Sequence, residues 1–282
     1  MGPLEVPGID ELLTRALAED VGQGDITTAA TVDDDQRGRA RVTVKESSII
    51  LCGGSIFERV FARTGASAKQ ISLAPEGAAL KQDEIAAEFE GLLAGLLSAE
   101  RTALNLVQLM SGIATLTSQY VDAIAGTRAR IVDTRKTHPG LRALEKYAVR
   151  IGGGDNHRFG LDSGVLIKEN HIAAAGSVAA ALKRARRRAP HTFKIEIECE
   201  TLDQVKDAIS NGADIVLLDN MSLGQIRNAV RIADGRAILE VSGGVSLPTV
   251  RAIAETGVDL ISAGALTHSA RSVDLSMRIE VA

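Results

Sequence analysis

The chain of 282 residues carries 32 Lys and Arg against 36 Asp and Glu, which gives a formal net charge of −4. This mildly acidic balance argues against a general attraction to nucleic acid or to an anionic membrane. Two cysteines are too few for a disulfide framework or a zinc site. Because no long apolar span and no basic, apolar leader is present, the sequence predicts a soluble cytoplasmic protein.

The residues before Ser98 predict a small α+β unit. Residues 9–19 place their apolar side chains on one helical stripe, and residues 39–45 alternate apolar and polar side chains as a half-buried strand does. Residues 25–28 are predicted to form a turn. From Ser98 the helical spacing continues without a proline, which predicts a long helix that links this unit to the rest of the chain.

A regular rhythm follows the long helix. Short apolar runs, each closed by a polar or charged residue, alternate with helical stretches, which is typical of βα units in a parallel barrel. The runs cover residues 131–133, 165–168, 195–198, 215–219, 238–242 and 260–262. A doubly wound open sheet is the alternative, because residues 140–164 show no clear pattern. No GxGxxG fingerprint opens a helix after the first strand, which weighs against a Rossmann fold.

The expected architecture is therefore α/β with two domains. An N-terminal α+β domain covers residues 1–112, and an α/β barrel covers residues 113–269. Residues 273–282 alternate apolar and polar side chains. We therefore expect residues 270–282 to return as a strand to the sheet of the first domain.

Residues 133–171 concentrate positive charge in an otherwise acidic chain, with ten Lys, Arg and His against five Asp and Glu. Arg135 and Lys136 follow one apolar run and Lys168 closes the next, so these cations are expected at strand ends. Guanidinium groups form two-point contacts with carboxylates and phosphates, which predicts a site for a ligand with several negative groups. A solvated charged face is the alternative.

Acidic residues and glycines close the other strands. Asp133, Glu198 and Asp219 each end a run, and in a barrel they would meet at one mouth, where carboxylates hold a divalent cation or a sugar diol. Capping of the next helix, or pairing with a neighbouring base, is the alternative for each acid. The turns Ser242–Ser246 and Ser262–His268 are rich in small residues and would let backbone N–H groups approach a phosphate.

Several other polar residues predict no chemistry. The basic run Lys183–Arg188 is interpreted as a solvated helix end, since no aromatic residue lies within it. His171 and His191 are expected to be structural, whereas both roles stay open for His138. Both cysteines are expected to be buried thiols.

The chain closely resembles the quinolinate phosphoribosyltransferase family at residues 133–172, DTRKTHPGLRALEKYAVRIGGGDNHRFGLDSGVLIKENHI. The resemblance continues through EDVGQGDIT at 19–27, ERTALN at 100–105, EIE at 196–198, LLDNM at 217–221, EVSGG at 240–244 and SAG at 262–264. It implies an open-faced first domain and a seven-stranded barrel. It also implies a homodimer or a larger homo-oligomer, in which Arg101 enters the neighbouring subunit's site.

The family joins quinolinate to 5-phosphoribosyl 1-pyrophosphate (PRPP) with Mg²⁺, and yields nicotinate mononucleotide, pyrophosphate and CO₂ for NAD. The resemblance implies that quinolinate contacts Arg101, Thr134, Arg135, His157, Arg158 and Lys168. It implies that PRPP contacts Lys136, Glu198, Asp219, Ser242, Gly243, Gly244, Ala263, Gly264, Ala265 and His268. Lys136, Lys168, Glu198 and Asp219 would serve catalysis. Glu198 and Asp219 would hold Mg²⁺, directly or through PRPP and water.

Three other functions stay open. A related phosphoribosyltransferase could act on nicotinate, which has a single carboxylate. A barrel aldolase could use Lys168 as a Schiff-base amine, although this chemistry explains the arginines and acids poorly. A non-catalytic sensor of phosphorylated sugars is the third alternative, and turnover of PRPP would exclude it.

Overall fold

The computed structural model of the chain describes residues 5–281, which divide into two compact units. The first unit takes in the residues up to Ser118, residues His138–Gly153 and the residues from Ala270 onward. The second unit takes in residues Gln119–Thr137 and Gly154–Ser269. The boundary at 112/113 stays a prediction, and residues 1–4 and 282 of the predicted first domain lie outside the described residues.

Eight helices and strands precede the long helix. They are α1 Ile9–Val21, α2 Ile26–Thr31, β1 Arg37–Val44, β2 Ser48–Ile50, α3 Ile56–Arg63, β3 Lys69–Leu73, β4 Ala79–Lys81 and β5 Ile85–Leu92. The long helix α4 covers Leu93–Ala123. It begins five residues before the predicted start at Ser98, directly after β5.

Strands and helices alternate after α4. They are β6 Arg130–Val132, α5 Arg142–Ile151, β7 Val165–Ile167, α6 Glu169–Ala175, α7 Val178–Arg188, β8 Ile195–Cys199, α8 Leu202–Ser210, β9 Ile215–Asp219, α9 Leu223–Ala233, β10 Ile238–Ser242, α10 Leu247–Ala254, β11 Leu260–Ser262, α11 Ala265–His268 and β12 Leu275–Val281. Each of the six apolar runs identified in the sequence therefore contains a strand.

The sheet of the first unit is antiparallel and has the strand order β12-β1-β5-β3. In β1 the side chains of Ala40, Val42 and Val44 are buried while their neighbours are more exposed, as the alternation predicted. Val42 pairs with Met277 on one side and with Ala87 on the other. The predicted return of the C-terminal strand to the first sheet is confirmed.

The sheet of the second unit is parallel, with the order β6-β11-β10-β9-β8-β7. The α/β class is confirmed, but the described residues form six strands in this sheet where seven were expected. A single residue occupies the seventh place: Asp155 makes an isolated parallel bridge to Val132. Its backbone N–H donates to the Ile131 carbonyl at 2.8 Å. After α5, Asp155 alone pairs with β6, so this segment does not form a seventh strand.

Two stretches of the chain are more regular than the sequence indicated. Residues 25–28 do not form an isolated turn, because Asp25 is the N-cap of α2 and its carboxylate accepts the Thr28 backbone N–H at 3.0 Å. The patternless stretch from 140 contains α5, in which six consecutive residues from Leu144 to Val149 are buried. Leu144, Tyr147, Ala148 and Ile151 nevertheless recur at helical spacing, so the sequence held a signal for this helix.

Hydroxyl side chains start several helices of the second unit. The hydroxyl groups of Ser177, Thr201 and Ser222 each accept a backbone N–H from the residue three positions later, at 3.1, 3.2 and 3.4 Å. Such caps contribute about 1 kcal/mol each. Because each helix starts soon after a strand or turn, the caps fix where the chain leaves the sheet edge. Within residues 5–281, every helix is too short or too polar to cross a membrane.

We predict that Gly112→Ala destabilises the first unit. A Cβ at this position in α4 would overlap the Arg271 carbonyl oxygen and lie 3.2 Å from the Ser272 Cα. Overpacking against backbone costs roughly 1–3 kcal/mol, which exceeds the gain in helix propensity from alanine. Thermal denaturation measures the effect. Gly224→Ala is the control, because a Cβ there meets no atom within 4 Å, and an equal melting temperature for the two variants would contradict the prediction.

Candidate active site

A cavity of about 720 Å³ opens at the C-terminal ends of the parallel strands in the second unit. Because carboxyl ends of parallel strands share one edge, residues that follow different strands meet there. Fifteen residues assigned to the substrates from the sequence line this cavity: Thr134, Arg135, Lys136, His157, Arg158, Lys168, Glu198, Asp219, Ser242, Gly243, Gly244, Ala263, Gly264, Ala265 and His268. We call it the main cavity.

Arg101 is the one assigned residue outside this group. It lies on α4 in the first unit, and 60% of its side chain is exposed. Its guanidinium is 4.0 Å from the Glu100 carboxylate. The pairing with Glu100 agrees with a surface role, and the predicted contact with quinolinate stays a prediction.

Two guanidinium groups lie close together at the main cavity. Burial lowers the pKa of Arg158, and the charge of Arg135 lowers it further. The Nη1 of Arg158 donates to the Gly164 carbonyl at 3.1 Å. Neighbouring guanidiniums repel each other unless an anion lies between or beside them, so this pair suits a ligand with more than one negative group.

His157 has both ring nitrogens directed at atoms of the chain. Its Nδ1 accepts the Arg158 backbone N–H at 2.7 Å. Its Nε2 lies 3.1 Å from a Glu196 carboxylate oxygen and 3.7 Å from Glu240. Since Nδ1 is an acceptor, the ring proton sits on Nε2 and points to the carboxylates.

Glu196 and Glu240 were not assigned any role from the sequence. Both are buried inside the parallel sheet, with 6% and 2% of their surface exposed. A signal was present, because each acid stands inside an apolar strand, where an ionisable residue is rare unless paired. Glu196 also precedes Glu198 by two residues, so both side chains point to the same side of β8.

These two acids and His157 form a group whose ligand atoms lie within 4.8 Å of one another, close enough to hold a metal ion. The hydrogen bonds argue against that role. A metal ligand needs a free lone pair on Nε2, whereas the bond from Arg158 to Nδ1 leaves the proton on Nε2. The group is therefore better described as a buried hydrogen-bond network.

Glu198 joins the cations to the acids of the main cavity. Lys168 Nζ forms an ion pair with its carboxylate. Burial raises the pKa of Glu198, and the neighbouring Glu169 carboxyl and the Asp219 charge raise it further. The Asn220 amide donates to Asp219 at 2.7 Å. Two close carboxylates provide hard oxygen ligands of the kind that Mg²⁺ prefers.

The glycine turns lie at the ends of β10 and β11. Gly243 and Gly244 have φ values of +88° and +62°, which side chains other than glycine rarely adopt. A Cβ on Gly243 would also collide with the Asn220 side chain, and one on Gly264 would come within 3.1 Å of Lys136. Bare backbone at both turns leaves N–H groups accessible to an anion such as phosphate.

Two histidines outside the main cavity, His138 and His171, have structural contacts, whereas the side chain of His191 is exposed. His138 Nδ1 lies 2.5 Å from the Glu145 carboxylate, whose pKa burial raises. His171 Nδ1 accepts the Lys168 backbone N–H at 3.0 Å at the start of α6. In the basic run at the end of α7, Arg186 pairs with Asp214 at 2.9 Å. Both cysteines are buried and free, as expected.

We predict that Glu240→Gln raises the melting temperature at high pH but not at low pH. Burial raises the pKa of Glu240 to about 7, and the charge of Glu196 adds to this effect. An acid whose pKa is raised by folding stabilises the fold below its unfolded pKa, and this contribution is lost as the pH rises through about 7. Glutamine has no proton to lose, so the variant should match wild type near pH 4, below the unfolded pKa of 4.5, and melt higher near pH 8.

Melting temperatures over this pH range measure the difference. The control is Glu255→Gln, which removes an acid from an exposed pair with Arg251. A gap between Glu240→Gln and wild type that is constant with pH would show that ionisation of Glu240 does not oppose folding.

The chain matches models of two domains. The model of the quinolinate phosphoribosyl transferase N-terminal domain matches residues 25–111, and that of the C-terminal domain matches residues 113–278. A nicotinate-nucleotide pyrophosphorylase (carboxylating) of Mycobacterium leprae is 43% identical over 274 residues, which cover 95% of this chain and 95% of the relative.

A plant relative and a solved structure agree with these matches. Quinolinate phosphoribosyltransferase (decarboxylating) 2b, mitochondrial, of Nicotiana tabacum is 38% identical over 96% of this chain and 82% of its own length. The crystal structure of NadC from Streptococcus pyogenes is 40% identical and superposes with a TM-score of 0.95, over 100% of this chain and 99% of that one. The chain belongs to the quinolinate phosphoribosyltransferase family.

Proposed function

We propose that the chain transfers the phosphoribosyl group of PRPP to quinolinate with loss of CO₂, and so makes nicotinate mononucleotide for NAD biosynthesis. The family assignment supports this pentosyl transfer. The observation that carries it is the pair of neighbouring guanidiniums, Arg135 and Arg158, in the same cavity as Lys168. Quinolinate has two adjacent carboxylates, and a partly dry site needs several cations to hold both.

The reaction needs no side-chain nucleophile. The pyridine nitrogen of quinolinate attacks C1 of the ribose while the bond from C1 to pyrophosphate breaks. Lys136 and the backbone N–H groups of the two glycine turns offset the charge that the leaving pyrophosphate gains. The ring nitrogen is then cationic, which stabilises the carbanion at C2 when the 2-carboxylate leaves as CO₂. Uptake of a proton at C2 completes nicotinate mononucleotide.

We propose Mg²⁺ as the cofactor, and we propose Glu198 and Asp219 as the protein residues that hold it. The two carboxyls lie close enough for the charge of Asp219 to add to the effect of burial on the pKa of Glu198. Two protein oxygens leave most of the coordination sphere to phosphate and water, which is common for Mg²⁺. When bound with PRPP, the ion would offset charge on the pyrophosphate.

The alternative functions are less well supported by the contacts in the main cavity. A Schiff base needs the neutral amine of Lys168, whereas this lysine forms an ion pair with the Glu198 carboxylate. Nicotinate has a single carboxylate and would leave one of the two neighbouring guanidiniums without an anion. A sensor would bind PRPP without turning it over.

Incubation with PRPP, Mg²⁺ and either quinolinate or nicotinate tests the proposal directly. Mass spectrometry of the product and an assay of released CO₂ are the measurements. We expect nicotinate mononucleotide and CO₂ from quinolinate, and no product from nicotinate. Product from nicotinate alone, or no consumption of PRPP with either acid, would overturn the proposed function.

We further propose a homodimer or larger homo-oligomer, in which Arg101 contributes to the neighbouring site. Its support is the exposure of Arg101, whose contact with Glu100 is long at 4.0 Å. Weak surface pairs of this kind cost little to break when a dianion becomes available. The cytoplasmic location is likewise a proposal, supported by two buried cysteines that form no disulfide.

We predict that Lys168→Ala and Arg135→Ala lose activity far more than stability. Both residues line the main cavity and neither belongs to the apolar core. Loss of one cation from a desolvated contact with a dianion costs roughly 2–5 kcal/mol, which lowers kcat/KM about thirty-fold or more. Steady-state kinetics and thermal denaturation measure the two effects. Arg251→Ala, which removes an exposed side chain of α10, is the control. Wild-type kinetics in either cavity variant would refute the assignment.

We predict that Glu198→Ala and Asp219→Ala weaken binding of PRPP with Mg²⁺ while quinolinate still binds. A carboxylate repels the quinolinate dianion but attracts Mg²⁺ and ribose hydroxyls. Calorimetric titration of each variant with each ligand separates the two effects. Abolished quinolinate binding with intact PRPP binding would require the two halves of the site to be exchanged.

We predict that inactive Arg101→Ala and inactive Lys168→Ala restore activity when their subunits exchange. In a two-fold dimer with shared sites, each subunit gives the residue that it also receives. One site of a mixed dimer then carries both defects and the other carries neither, so activity returns toward about half of wild type. Native mass spectrometry monitors exchange. If exchange occurs without recovery, Arg101 acts within its own chain or has a structural role.

A further inference from the structure

Three residues separate the main cavity from a second cavity in the second unit. This lower cavity, of about 270 Å³, is lined by Lys194, Ile215 and Leu260, which lie at the N-terminal ends of strands. His157, Arg158 and Glu240 line both cavities. These three side chains therefore form the floor of the main cavity, and groups that contact them from below can act on its ligands.

Glu196 contacts this floor from the lower cavity. Glu196 lines the lower cavity and is not among the residues that line the main cavity. Its Oε2 lies 3.1 Å from the His157 Nε2. Its charge also reaches Arg158, where it opposes the effect of burial and of Arg135 on the pKa of that guanidinium. Glu196 thus interacts with both His157 and Arg158.

The His157 ring passes this contact on to Arg158. With the proton on Nε2 bonded to Glu196, Nδ1 keeps its lone pair for the Arg158 backbone N–H at 2.7 Å. If the acceptor at Glu196 is lost, the other tautomer and a rotated ring become available. The backbone N–H of Arg158 then loses its acceptor. The position of the Arg158 guanidinium beside Arg135 is no longer fixed.

We propose that Glu196 is a positioning residue for quinolinate, which acts through His157 to place Arg158 against the dicarboxylate. This inference rests on the proposed function. Glu196 would not touch either substrate. Its role is to hold His157 in one tautomer, so that the neighbouring guanidiniums of Arg135 and Arg158 match two adjacent carboxylates.

A simple charge effect predicts the opposite sign. Glu196 is acidic, and removing a negative charge near the site should strengthen the binding of a dianion. Loss of positioning should weaken it. The affinity for quinolinate in variants of Glu196 therefore decides between the two accounts, and the affinity for PRPP serves as an internal reference.

The test compares Glu196→Leu with Glu196→Gln in steady-state kinetics at saturating PRPP. Leucine removes the acceptor, and we expect the KM for quinolinate to rise about tenfold or more. Glutamine keeps one acceptor oxygen for His157, so its KM should lie between those of wild type and the leucine variant. The KM for PRPP should stay within about two-fold of wild type in both. Glu255→Gln serves as the control on an exposed acid.

Several outcomes of these measurements would overturn the inference. An unchanged or lower KM for quinolinate in folded Glu196→Leu would do so, as would equal losses for both substrates. If wild type itself neither binds nor turns over quinolinate, the proposed function fails first. Normal turnover by wild type together with unaffected variants refutes the role of Glu196 alone.

Nitrogen NMR of wild type tests the tautomer without any change at Glu196. Imidazole nitrogens with and without a proton have well separated ¹⁵N shifts, and His157→Gln identifies the signals of His157 by their loss. We expect a protonated Nε2 and an unprotonated Nδ1. A protonated Nδ1 in the folded protein would overturn the proposal even if Glu196→Leu fails to fold.

Discussion

Carboxylates buried inside the parallel sheet need hydrogen-bond donors, and this need determines where other segments of the second unit lie. Asp133 is fully buried at the end of β6, where an ionised acid is costly unless it accepts hydrogen bonds. It accepts the His157 backbone N–H at 2.8 Å and the Asn156 amide at 2.6 Å. Together with the bridge at Asp155, these bonds draw the irregular segment 155–158 against the strand. The cation at its end, Arg158, is therefore placed by buried acids.

The sequence was informative wherever one short segment decides the structure. The apolar runs located all six parallel strands, and parallel topology then brought residues as distant as Lys136 and His268 to one cavity. The outcome was different where several segments act together. Helix α5 was missed although its apolar residues follow helical spacing, because two charged residues, Glu145 and Lys146, lie among its buried positions. The orientation of His157 depends on its neighbour Arg158 and on Glu196 and Glu240, which come from two distant strands, so local patterns could not reveal it.

The ion pair of Lys168 and Glu198 joins two residues that we assign to different substrates. Without ligands the main cavity thus partly neutralises its own charge, which lowers the cost of holding cations and acids in a half-dry space. On this assignment, quinolinate bound at Lys168 would compete with Glu198 for the ammonium group. A free Glu198 carboxylate is in turn the form that a metal ion requires. The two halves of the site are therefore linked by charge, and any such linkage acts equally in both directions.

The return of β12 to the first sheet has a consequence for how the chain is made. Gly38 pairs with Val281, so β1 has a hydrogen-bonding partner on this side only after the long stretch of chain between these two residues has been synthesised. In the second unit, in contrast, each strand from β7 to β10 pairs with the strand that follows it in the chain. Strand β6 is the exception, because it pairs with β11. During translation β1 therefore has one unpaired edge, and its exposed backbone is open to strands of other chains. Strand β12 closes that edge once it has been synthesised.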